Sequence, residues 1–181
     1  MKKSVVYWQM AGFVFTGILG TLLHFLFDWT GGNSIAALFS AVNESIWEHL
    51  KLLFYPMVAV ALTEYCFWGR RTESFWCVKL TGILTGLALI PLIYYTYTGI
   101  LGVNADWFNI AIFFLSAAAA YRLETALFQS NRRCLITEPM AVFLLLLMIL
   151  LFTALTFVTP KIPLFRDPLT GTYGFSASAS K

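Results

Sequence analysis

The sequence predicts an all-α protein, a polytopic transmembrane bundle of about five spans forming one domain over residues 1–181, and three observations predict it. Hydrophobic residues make up 59% of the chain and charged residues only 12%, whereas soluble domains carry about a quarter charged residues. A soluble chain of this size has too little interior to hide so much apolar surface, and lipid removes that need. The apolar residues fall in runs of roughly 20, the length a helix needs to cross the hydrocarbon. These runs show no alternation of period two, so helices rather than barrel strands must satisfy the backbone.

The first span is expected over Ser4 to Phe27. Its apolar stretch is longer than a signal-peptide core of roughly 7–15 residues, so it reads as a retained helix. Gly17, Gly20, His24 and Asp28 recur on one face at i, i+3, i+7 and i+11, which puts small and polar residues on the same packed stripe. Trp29-Thr30-Gly31-Gly32-Asn33 then breaks the helix. Ser34 to Ala41 is apolar but too short to span, and is expected to be an interfacial or re-entrant segment sheltered by protein.

The second span is expected over Ile46 to Trp68, with Asn43 as its cap and Glu44 in its first turn. The third covers Phe75 to Thr98 and the fourth Asp106 to Phe128. Gly82, Gly86 and the Ser116 to Ala120 run supply the small residues that close packing in lipid requires. Pro56 and Pro91 are read as ordinary bends in spans two and three. The fifth span covers Ile136 to Thr159, and its Leu-rich stretch from Val142 to Phe152 is expected to face lipid. Pro160 and Pro163 end it, and the tail beyond carries turn signals at Asp167-Pro168 and Thr170-Gly171.

Orientation follows from the cations. Lys2, Lys3, Arg70, Arg71, Arg132 and Arg133 flank the odd-numbered entries, while the first and third connections contain neither Lys nor Arg. By the positive-inside rule the N-terminus is inside and the C-terminus outside. Cys66, Cys77 and Cys134 then fall at the inner ends of spans, where thiols stay reduced.

That topology gathers polar residues on the outer side. Ionisable groups at membrane depth are costly and each needs a reason. His24, Asp28, Glu44, Glu48 and His49 are expected at one depth, with Glu44, Glu48 and Lys51 sharing a helical face at i, i+4 and i+7. Two imidazoles with several carboxylates suit a divalent transition metal such as zinc, iron or manganese. His24, Asp28 and His49 are the metal candidates, Glu44 and Glu48 the candidate catalytic acids or bases, and Asn43, Lys51, Asp106 and Asp167 the surrounding polar network. Each also has a plain role: Glu48 pairs with Lys51, Glu44 favours a helix start, and Asp28 caps a terminus. Towards the inner boundary, Glu64, Lys79, Arg122 and Glu124 are read as structural, the cations snorkelling and the carboxylates pairing with them.

Three function classes remain open. The first is a metal-dependent membrane enzyme acting on a lipid or envelope precursor. The second is a transporter or proton-coupled permease subunit, and the third a non-catalytic protein that binds a membrane partner or a second copy of itself. The bilayer is the one certain partner. No concentrated basic face suggests nucleic acid, no glycine-rich phosphate loop suggests nucleotide, and no nucleophile elbow suggests a serine hydrolase. A compact HExxH signature is also missing, Glu48-His49 being only a fragment of one.

The string Val42-Asn43-Glu44-Ser45-Ile46-Trp47-Glu48-His49-Leu50-Lys51, preceded by His24 to Trp29, resembles a family of small bacterial integral membrane proteins classed as a domain of unknown function. The tail from Leu164 to Gly174 is similar to that family's C-terminal end. The resemblance implies a multi-pass protein of the bacterial inner membrane and supplies no activity. Arg166, Asp167 and Tyr173 place the tail either as a lid over the outer cluster or as a plain cover for the bundle.

Overall fold

The computed structural model describes residues 2–130, 134 and 136–175. Arg132 and Arg133 in the fourth connection and the polar end from Ser176 to Lys181 lie outside the described residues. Five α-helices follow one another: α1 (Lys2–Trp29), α2 (Ile46–Phe67), α3 (Phe75–Leu101), α4 (Asp106–Gln129) and α5 (Glu138–Phe157). All five are long and apolar enough to cross a membrane. No strand occurs among the described residues beyond one antiparallel bridge between Arg166 and Tyr173.

Helix ends follow local chemistry. Ser45 caps α2, its hydroxyl accepting from the Glu48 amide, while Asn43 stands two residues earlier and accepts from the Ser45 amide. The expected cap is therefore displaced, and Glu44 precedes the helix rather than opening it. The N-terminus of α3 receives the Glu138 carboxylate, which accepts from the Trp76 and Cys77 amides. Gly102 ends α3 in the left-handed region. Pro56 and Pro91 lie within unbroken helices.

The core sits between α2, α3 and α4. Leu53, Phe54, Ile83, Ala117 and Ala120 are fully buried there. Gly20 sets the closest approach of α1 to α2, because a Cβ at that position would lie 2.6 Å from the Leu52 carbonyl oxygen. Along α5, Phe143, Leu146 and Leu150 are exposed, as a lipid-facing helix requires, while Leu145 and Phe152 pack inward. Between α1 and α2 the chain makes a 3-10 turn at Ala36–Leu38 with Ala36, Ala37, Ser40 and Ala41 buried. The short apolar segment is thus tucked among the helices.

The two ends of the bundle differ. The upper end carries the α1–α2 and α3–α4 connections and the tail; the lower end carries the start of α1 and the α2–α3 connection. At the lower end Cys77 and Cys134 are joined in a disulfide, and Cys66 is free and exposed. The expectation of three reduced thiols is corrected here. Glu138 anchors the start of α5 to the start of α3, and this brings Cys134, just before α5, against the first turn of α3.

Glu64, Lys79 and Glu124 are not boundary residues that reach for water. All three are fully buried and form one ionic group, whereas Arg122 is exposed and stands apart.

Candidate metal centre

His24 is on the last turns of α1, Glu44 lies just before α2, and His49 sits in its first turn. One ligand atom from each lies within 4.8 Å of the other two. The Glu44 carboxylate stands between the imidazoles, with Oε1 3.8 Å from His24 Nε2 and Oε2 3.4 Å from His49 Nε2. The two rings meet edge to face with centroids 5.2 Å apart. Each of the three side chains is partly exposed.

Hydrogen bonding settles the state of one ring. His49 Nδ1 lies 2.9 Å from the Ser45 carbonyl oxygen, which only accepts, so Nδ1 carries the proton. In the neutral imidazole Nε2 then presents a bare lone pair towards a carboxylate oxygen. Two acceptors facing each other need a cation between them, either a proton or a metal ion. The His49–Glu44 separation is that of two donors on one ion: donors about 2.1 Å from a tetrahedral ion lie about 3.4 Å apart, while the His24–Glu44 pair is wider at 3.8 Å. A backbone carbonyl that fixes the tautomer is also the usual support for a metal-binding histidine. His24 has no such support, since its buried Nδ1 meets no acceptor.

The group lines one end of a cavity of about 470 Å³. Asn104 just before α4 and Asp106 and Asn109 at its start share the lining, as do Pro168 and Leu169 from the tail. Asp106 is the only acidic lining residue besides Glu44 among the described residues. Phe25, Ile110 and Phe114 also line it and are themselves exposed, so exposed apolar side chains of α1 and α4 border the cavity.

The other expected site residues divide. Asp28 is exposed near the end of α1 and does not join the three. Glu48 does not face the cavity; it is buried against Lys51, 2.5 Å away, and accepts from the Thr156 hydroxyl and the Val42 amide. Lys51 gives its remaining hydrogen bonds to the Ala37 carbonyl and Thr156 Oγ1. Glu48 and Lys51 therefore hold the tucked segment to α2 and α5, a supporting role in place of the catalytic one expected of Glu48.

Asn43 ties the tail to the start of α2, its amide donating to the Gly174 carbonyl. Asp167 is buried in the tail and accepts from the Leu169 and Thr170 amides. Burial pushes its carboxyl up, but the amides of Leu169, Thr170 and Glu44 with the Thr170 hydroxyl outweigh that and hold it below its ordinary value. Trp47 packs between Phe152 and Phe165 and pins the tail's base.

Sequence reasoning missed Thr156, which links Glu48 and Lys51, and Asn104 and Asn109, whose side chains bond each other and the Tyr97 hydroxyl. A hydroxyl inside the otherwise apolar α5 was the available signal for the first. Of the second pair, Asn104 lay in a connection read only for its lack of cations and Asn109 one turn into the fourth span.

Among known protein families, the chain matches the model of one described as "Family of unknown function (DUF6512)" over residues 1–175. No curated protein and no solved structure matches it.

Proposed function

The chain belongs to DUF6512, a family that lends it no activity, and we propose that it is a membrane protein binding a divalent transition metal through His24, Glu44 and His49. The observation that carries this reading is the convergence of three ligand atoms within 4.8 Å, one of them a lone pair aimed at a carboxylate. Two histidines and one glutamate leave a tetrahedral ion one open position, the arrangement of catalytic rather than structural zinc. Such an ion acidifies bound water and polarises an oxygen of the substrate. Asp106, across the cavity, is the group available to take a proton.

An enzyme acting on an amphiphile fits the cavity better than one acting on a soluble metabolite. Its polar end holds the ligands, and its apolar opening at Phe25, Ile110 and Phe114 faces where acyl chains would lie. A lipid or an envelope precursor enters such a site sideways. The resemblance noted above implies a bacterial inner membrane as the setting for this reading.

Metal analysis of the purified protein tests this reading. One equivalent of zinc, iron or manganese is expected, and it is lost in His49→Ala. Protein that carries no metal after exposure to all three ions removes the proposal. The competing transporter reading predicts ion flux in proteoliposomes that depends on the same histidines without hydrolysis of any lipid.

Lys and Arg placement supports an inside N-terminus, which puts the metal site outside. The Cys77–Cys134 disulfide favours the reverse, since such bonds persist in oxidising compartments. Exposed Cys66 decides between them. Labelling of intact cells by a membrane-impermeant maleimide should fail; labelling from outside would place the metal site on the cytoplasmic face.

A further inference from the structure

The lower half of the bundle holds a second ionic group that the metal reading does not use. Lys79 on α3 contacts Glu64 on α2 and Glu124 on α4, the latter at 2.6 Å. None of the three is more than 1% exposed. The ammonium also lies over the rings of Phe75, Tyr121 and Phe128 at 5.7 to 5.9 Å, which favours its charged form. One cation therefore faces two carboxylates inside the bundle.

Among the described residues the surrounding groups do not balance that count. From α1, Gln9 donates its amide to both oxygens of Glu64 and Thr16 bonds the Tyr121 hydroxyl. From α5, Glu138 is engaged with the amides that open α3. Arg122, next to Tyr121 on α4, is exposed and pairs with neither acid. A net negative charge left in this interior is expensive, and the cheap remedy is a proton.

Geometry selects which acid takes it. Both oxygens of Glu64 accept from Gln9 and one also contacts Lys79, so Glu64 is surrounded by donors that favour the anion. Glu124 has Lys79 on Oε2 only, and its buried Oε1 has no donor among the described residues. That oxygen lies against Gly82, in space that a Cβ there would occupy. We propose that the Glu64–Lys79–Glu124 group is a proton-binding site, with the proton held on Glu124 Oε1.

A glutamine reproduces a protonated glutamate in shape and charge, so Glu124→Gln should fold with an unchanged melting temperature. Infrared spectroscopy of the purified protein at neutral pH should show the carbonyl stretch of a buried carboxylic acid. That band should vanish in Glu124→Gln and persist in Glu48→Gln, whose target already has its own ammonium. A wild-type spectrum without the band, a band that survives Glu124→Gln, or failure of Glu124→Gln to fold would each overturn the assignment.

Discussion

Among the described residues two lysines are buried in this bundle, one towards each end, and their surroundings differ in arithmetic. Lys51 meets one carboxylate, one hydroxyl and one backbone carbonyl, so its three N–H groups and its single charge are all matched. Lys79 meets two carboxylates and leaves an acceptor without a donor. A closed account yields a clamp, here fastening the tucked 3-10 segment to α2 and α5. An open account yields a group that must recruit something from outside itself, and a proton is the smallest recruit. Buried charge alone therefore says little about use; the balance of charges and hydrogen bonds says more.

Removing one partner tests that contrast most severely. Lys51→Met leaves Glu48 buried without a cation and should cost about 3–5 kcal/mol. The loss would be read as a lower thermal midpoint in detergent, and pairing the change with Glu48→Met should recover most of it. A harmless Lys51→Met would break the comparison. Gly82→Ala comes next, because the new methyl would occupy the space of the Glu124 carboxyl. Overpacking of that kind costs about 1–3 kcal/mol, and Gly82→Ala combined with Glu124→Ala should restore the melting temperature.

Asp167→Asn should cost less, about 1 kcal/mol, and act on the tail rather than the helices. Because the folded carboxyl titrates below its ordinary value, its stabilising contribution is complete above the ordinary aspartate value. It then disappears as pH falls through the lowered one. Protease sensitivity of the tail should therefore rise only in strongly acidic buffer, and Asp167→Asn should show the raised sensitivity already at neutral pH. Gln9→Leu closes the series at about 1 kcal/mol or less; a larger drop would mean that Glu64 depends on Gln9 more than on Lys79.

The spans were legible because hydropathy over a helix length is a coarse quantity: α2 and α4 begin at Ile46 and Asp106 as expected. The candidate site was legible in outline, since topology alone brings the end of α1 to the start of α2. Finer placement depended on helix ends. The face shared by Glu44 and Glu48 presumes a helix that already includes Glu44, but α2 starts at Ile46. Glu44 is thereby free to turn to the histidines while Glu48 turns to Lys51. Asp28 fell away for a related reason: it stands one turn beyond His24, close to the exposed end of α1. The group around Lys79 was legible only as three ionisable residues, because their meeting depends on the relative rotation of three helices. Cys77 and Cys134, 57 residues apart, meet through the same kind of long-range packing.

The tail's attachment has a consequence for how the protein is made. The Phe175 amide bonds the Thr156 carbonyl, Gly174 accepts from Asn43, and Leu169 forms part of the cavity wall. Residues 166–175 emerge from the ribosome only after all five helices have been synthesised. The pocket is thus completed only after the fifth helix has been made, and a nascent chain stalled at Val158 would be membrane-inserted yet lack its roof.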